Sequence, residues 1–261
     1  METANLDEKK DVATPTKTFA SFILLDKAEL DNELLQRLIR EDWNLSFAET
    51  SMNEDRQILV ADVNGMTLAI SLMPAPIPDQ EAVKNAKTNF RWPGAVEVAE
   101  QHKAHILVAL MNKEKPVEEA AKLFVKICSS CLKLPHATAI NTLGTVFEPD
   151  FYINAAKTTL DQDELPILNL VFFGIYSEDG KTVSAYTFGM EQFNKRNMEV
   201  LNSLHDPNEV MEFLYDIVGY VLEQDVLLQD GETIGFSEEE RLPITLIDSS
   251  ILEQKTLQIG F

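Results

Sequence analysis

Apolar positions along the chain switch between a period of two and a period near 3.6, and each switch marks an element boundary. Residues 19–25 read as a strand, and Leu30, Leu34, Leu35, Leu38 and Ile39 then recur at helical spacing toward Trp43. A strand over 45–50 precedes two runs, 57–63 and 66–72, that flank Asn64-Gly65. Asn-Gly supplies the two positive-φ residues of a type I′ turn, so the pair predicts a hairpin. Three prolines within 73–78 force an extended path out of it. Asp79 stands where an N-cap belongs, before Ala82, Val83, Ala86 and Phe90 on one helical face. Pro93 is expected to open a further helix bearing Val96, Ala99 and His102. The run 104–111 is almost continuously apolar, which predicts a strand covered on both faces. A helix from Pro116 to about Leu132 and a strand over 137–141 follow, and this succession predicts a partly parallel sheet.

Residues 144–149 read as a loop into a second set of elements. A short helix is expected over 151–158, then two strands, 167–176 and 182–190, around Glu178-Asp179-Gly180. Asp206-Pro207-Asn208-Glu209 combines an N-cap, a first-turn proline and a capping-box glutamate. Behind it Val210, Phe213, Leu214, Ile217, Val218 and Val221 keep strict helical spacing. Two short strands, 243–247 and 256–261, close the chain. The expected class is therefore α+β: mixed, largely antiparallel sheets with hairpins packed against long amphipathic helices, in two similar sheet-plus-helix halves. The expected division is a flexible tail over 1–16, an N-terminal half over 17–143 and a C-terminal half over 144–261, packed as one unit.

Charge narrows the range of partners. The 261 residues hold 43 acids and 22 bases, a net charge of −21. Such a chain repels polyanions, so neither nucleic acid nor an anionic membrane surface is an expected partner. The acidity is also polarised. Residues 198–261 carry fourteen acids against two bases, whereas 80–136 carry nine bases against six acids. That distribution suits either a solvated surface or an acidic face for a basic protein, or pairing between copies of the chain. Met1 to Lys17 lacks a signal-peptide pattern, no apolar run is long enough to cross a bilayer, and two cysteines make no disulfide framework. The expected location is the cytoplasm.

Candidate chemistry is sparse. Cys128-Ser129-Ser130-Cys131 has the CxxC spacing of redox pairs, but it falls at the far end of a helix and on its apolar stripe. With His102 and His105 the two cysteines could supply four metal ligands; the expectation is no metal and no cofactor. For acid–base catalysis the candidates are His102, His105, Glu97 and Glu148. For binding they are Trp92, beside the proline-rich stretch, and the acidic Asp230, Glu232, Glu238, Glu239 and Glu240. No Gly-x-Ser-x-Gly turn and no glycine-rich phosphate loop is present.

Several stretches carry a family resemblance: 71–78 (SLMPAPIP), 92–97 (WPGAVE), 102–105 (HKAH), 144–149 (GTVFEP), 165–169 (LPILN), 186–190 (YTFGM) and 228–236 (LQDGETIGF). In this order they resemble the mainly bacterial family known as domain of unknown function 4261, over about 19–261. The resemblance implies one architecture and a cytosolic location, and it brings no catalytic residues. The resulting expectation is a non-enzymatic interaction protein, immunity-like or regulatory, that uses an acidic surface. A hydrolase or transferase with a loop-borne carboxylate and histidine site is the alternative.

Overall fold

The computed structural model describes residues 17–53, 57–235 and 241–261. The tail expected over 1–16 lies outside the described residues. The chain runs β1 (Lys17–Leu25), α1 (Asn32–Trp43), β2 (Ala48–Met52), β3 (Ile58–Val63), β4 (Met66–Met73), α2 (Glu81–Ala86), α3 (Ala95–Gln101), β5 (Ala104–Asn112), α4 (Val117–Cys131), β6 (Ala137–Thr142) and β7 (Thr145–Phe147). It continues through α5 (Pro149–Leu160), α6 (Ile167–Leu170), β8 (Phe172–Tyr176), β9 (Val183–Phe188), β10 (Met198–Ser203), α7 (Pro207–Glu223), β11 (Thr233–Ile234), β12 (Leu242–Asp248) and β13 (Lys255–Ile259). The class is α+β, with two mostly antiparallel sheets.

Seven strands form the first sheet in the order β2-β3-β4-β5-β1-β6-β7. Asn64 (φ 55°) and Gly65 (φ 81°) make the turn that pairs Val63 with Met66, so the hairpin forms in the register its sequence predicts. The expected parallel pairing is corrected here. β5 and β6 do run the same way, but β1 lies between them and pairs antiparallel with both. The run 104–111 is also less covered than its composition suggests. Ile106, Val108 and Leu110 are buried, while Leu107, Ala109 and Met111 remain half-buried. α1 and α4 cover one face. A smaller core of Leu24, Ile77, Ala82, Ala99 and Val146 covers part of the other, beneath α2 and α3.

Two helix starts differ from expectation. Asp79 (φ 55°) and Gln80 (φ 54°) are successive left-handed residues in a 3-10 turn, so Asp79 lacks the extended backbone an N-cap needs and α2 opens at Glu81. Gly94 rather than Pro93 precedes α3.

The second sheet has the order β11-β12-β13-β10-β9-β8, with one parallel pairing, β10 to β13. The strand expected from 167 begins instead at Phe172, because 167–170 wind into the single turn α6. A short buried apolar run has the same pattern in either conformation, and here Asn169 N–H donates to the Pro166 carbonyl at 2.9 Å to close the turn. α7 starts at the full capping box of Asp206 and Glu209 and buries Val210, Phe213, Leu214, Ile217, Val218 and Val221. One continuous apolar core contains buried residues of both sheets.

Candidate functional site

The expected carboxylate–histidine constellation is dispersed. Ile77 N–H donates to His102 Nε2 at 2.8 Å, and His102 Nδ1 in turn donates to the Ala99 carbonyl at 2.5 Å. Both ring nitrogens are therefore occupied, Nε2 as acceptor and Nδ1 as donor. His105 Nδ1 donates to the Ala75 carbonyl at 2.9 Å, and Phe22 meets its ring edge-on. Burial pushes the His105 pKa down, against an upward pull from the Ala75 carbonyl. The two histidines thus clamp the strap 74–78 to α3 and β5. Glu97 is exposed and accepts from Gln101 at 3.0 Å. Glu148 lies elsewhere, at the N-terminus of α5.

The cysteines are equally inert. Cys128 and Cys131 are free, fully buried and near the C-terminal end of α4. Burial pushes the Cys131 thiol up to about 12 and raises Cys128 well above its ordinary value. A nucleophilic or redox cysteine needs the opposite shift. Among the described residues no cluster of three or more potential metal ligands occurs, and His102 and His105 do not join the cysteines.

Asp230 and Glu232 are structural staples. Leu246 N–H donates to Asp230 at 2.8 Å and Gln229 N–H to Glu232 at 2.8 Å, which fastens the turn before β11 to β12. Glu238, Glu239 and Glu240 lie outside the described residues.

Two of the expected residues do come together. Trp92 and Glu148 line one cleft of about 560 Å³ at the seam between the sheets, with Phe147, Phe151 and Phe172. Its wall is assembled from polar clasps. Asn85 Nδ2 donates to Asn141 at 2.9 Å, and Thr88 Oγ1 to the Gly144 carbonyl at 3.1 Å. Asn89 Nδ2 donates to the Val146 carbonyl at 2.7 Å, while its Oδ1 accepts the backbone N–H groups of Arg91 and Trp92. The loop after α2 is thereby fixed against the β6–β7 hairpin. A Cβ on Gly94 would come within 3.1 Å of the Trp92 indole nitrogen, so the glycine lets the ring lie close over the backbone. Opposite, Phe147 stacks on Phe151 at 5.7 Å and meets Phe172 edge-on at 6.2 Å.

A second hollow of about 760 Å³ shares Arg91, Leu168 and Phe173 with the first and extends to α7, where Glu212, Tyr215 and Asp216 bound it. The two form one groove. Arg91 stands over the Phe90 ring, 5.3 Å from its centre. Neither Arg91, Glu212 nor Asp216 has an ion-pair partner among the described residues. Burial raises the Tyr215 phenol, and the carboxylates of Glu164, Asp216 and Glu223 add to the rise. Glu212 and Asp216 lie one turn apart on the exposed face of α7, so this end of the groove is a negative lip. The lining includes no serine, threonine, cysteine or histidine, so it holds no hydroxyl–histidine or thiol–histidine pair. What it offers is apolar area, aromatic faces and unpaired charge.

Sequence reasoning found Trp92 and Glu148 but missed Arg91, Phe173 and Tyr215. Composition around Pro93 marked Trp92, and Glu148 was named as an acid–base candidate; the rest come from strands and helices far apart in sequence, and no local pattern links them.

A family model described as Domain of unknown function (DUF4261) matches residues 186–260, which run from within β9 to the end of β13. The match supports assignment to that family and covers the C-terminal part of the span over which the resemblance was read. No curated protein and no solved structure matches the chain. No helix among the described residues is long and apolar enough to cross a membrane.

Proposed function

We propose that this chain is a non-enzymatic recognition module, regulatory or immunity-like, acting in the cytoplasm on a basic protein partner. The partner segment places an apolar or aromatic side chain between Trp92 and Phe147 and a lysine or arginine against Glu212 and Asp216. One observation carries the reading: an aromatic cleft shares a wall with a hollow bounded by an acidic lip that is unpaired among the described residues. Buried aromatic anchors supply most of the binding energy of such contacts, and flanking charges set on-rate and choice of partner. The net charge of −21 attracts a basic partner from a distance. A hydrolase or transferase reading would need histidine and carboxylate to converge, and the two histidines are committed to backbone groups.

The test is binding of synthetic peptides that carry one tryptophan and two to three lysines, against peptides with glutamate in place of lysine. The basic peptides should bind, and their affinity should fall as salt is raised. Trp92→Ala should weaken binding by roughly tenfold or more, the loss of a buried aromatic anchor. Affinity that ignores both salt and Trp92→Ala would sink the proposal.

A further inference from the structure

A second cleft lies away from the aromatic groove, between the loop preceding β10 and the connection leaving α7. It encloses about 590 Å³ and is lined by Lys195, Arg196, Val221, Leu228 and Leu257, among others, with no carboxylate in its lining. In a chain of net charge −21 a cleft lined by two cations is unexpected, and the acid beside them, Asp225, is already paired with Lys195. After Arg196 the remaining chain holds only two further bases, Arg241 and Lys255.

The loop is built to hold these cations in place. Asn194 sits in the left-handed region (φ 57°), and Lys195 N–H donates to the Met190 carbonyl at 3.1 Å. Asn197 accepts from Met190 N–H at 3.2 Å and donates to Glu191 at 2.8 Å. Its carbonyl accepts from Leu257 N–H at 3.0 Å, which ties the loop to β13. Two backbone anchors and a side-chain clasp on either side of two residues fix where their side chains start, so little ordering is left for a ligand to impose.

Lys195 gives the second, independent observation. Its side chain is 6% exposed, yet its ammonium has one acceptor, Asp225 Oδ1 at 2.6 Å. An ammonium carries three donors, so two are left without an acceptor among the described residues, in a nearly buried position. The charge is balanced by Asp225, but leaving buried N–H donors unmet is costly unless something else accepts from them. Arg196 is exposed and its guanidinium has no side-chain partner among the described residues. Around the cations the walls are aliphatic, and Leu227, 61% exposed, stands at the rim.

The geometry points to a binding site for a small organic anion: a carboxylate or phosphate monoester head between Lys195 and Arg196, with an apolar body against Val221, Leu228 and Leu257. The site goes beyond the recognition groove and does not depend on it. Arg196 offers a planar fork for two anionic oxygens, and Lys195 adds a point charge in a low-dielectric setting.

Three probes test this on the full chain by NMR titration: hexanoate, phenyl phosphate and neutral hexan-1-ol. At least one of the anions should bind saturably and shift the methyl groups of Leu227 and Leu228. Hexan-1-ol should bind about tenfold more weakly or worse, because it makes no charge-assisted hydrogen bond. Arg196→Gln, at an exposed position that leaves folding intact, should weaken the anion by about the same factor. Lys195→Met should do likewise, and Trp92→Ala should change nothing. Three results overturn the site: no saturable binding of either anion up to roughly 10 mM, well above a useful affinity; equal binding of hexan-1-ol; or an unchanged affinity in Arg196→Gln. A Trp92→Ala variant that loses basic peptides but keeps the anion would separate the two sites.

Discussion

At the scale of single residues, the strap 74–78 owes its position to imidazoles because its three prolines have no N–H to offer. Ile77 N–H and the Ala75 carbonyl are the backbone groups that His102 and His105 engage. Burial favours the neutral form of the His105 ring, and this has a pH consequence. Burial lowers its folded-state pKa below the ordinary 6.5, with His102 pushing the same way and Glu81 opposing. Above about pH 6.5 both folded and unfolded chains hold a neutral ring and the effect vanishes. As pH falls through 6.5 the unfolded chain takes up the proton first, so stability declines until the folded-state pKa is passed. Urea unfolding at about pH 7.5 and about pH 5.5 should show this loss, and His105→Asn should make it smaller. An equal loss in both proteins would mean that the imidazole is not responsible. The same reasoning explains why HxxH misleads as a motif. Spacing marks which side chains could meet a ligand, but the strap that occupies them is set by tertiary packing.

At the scale of elements, α7 carries the acidic lip on one face and the second sheet on the other, so its start matters for both. Asp206 accepts from Asn208 N–H at 2.9 Å and Glu209 returns a bond to Asp206 N–H at 3.2 Å. Asp206→Ala should cost about 1 kcal/mol by urea unfolding, the usual loss for an N-cap. A change below about 0.3 kcal/mol would mean the helix is held by its apolar face alone. This helix was legible in the sequence, as was the β3–β4 hairpin, because a few adjacent residues decide each. α2 was only half legible. Its apolar face could be read, but the left-handed pair Asp79 and Gln80 follows from the strap before it, not from local preference. β10 was not read at all. Its burial is deep on both faces, with even Glu199 enclosed and bonded to Thr256 at 2.7 Å, so it lacks the alternation that identifies a half-covered strand. The groove was legible only at Trp92 and Glu148, since Phe147, Phe151, Phe172, Phe173 and Tyr215 arrive from β7, α5, β8 and α7.

At the scale of the whole molecule, the position of β1 in the seven-stranded sheet has a consequence for how the chain comes together. Among the described strands the first to be made is a central one, and it gains its two neighbours only as β5 and then β6 are made. Ser21 and Thr142, hydrogen-bonded across the β1–β6 pairing, are 121 positions apart. Closing such loops costs entropy before any pairing rewards it, so assembly through β1 is slow and leaves two apolar edges open meanwhile. Pulsed hydrogen exchange during refolding should find β3 and β4 protected early, and β1, β5 and β6 protected together and last. Early protection of β1 would show that another order of assembly is used. On the ribosome the same arrangement leaves the β6 side of β1 open until Thr142, 121 positions beyond Ser21, has been made, exposed to chaperones and to other nascent chains. The strand that finally locks the sheet is also the one most in need of protection before it does.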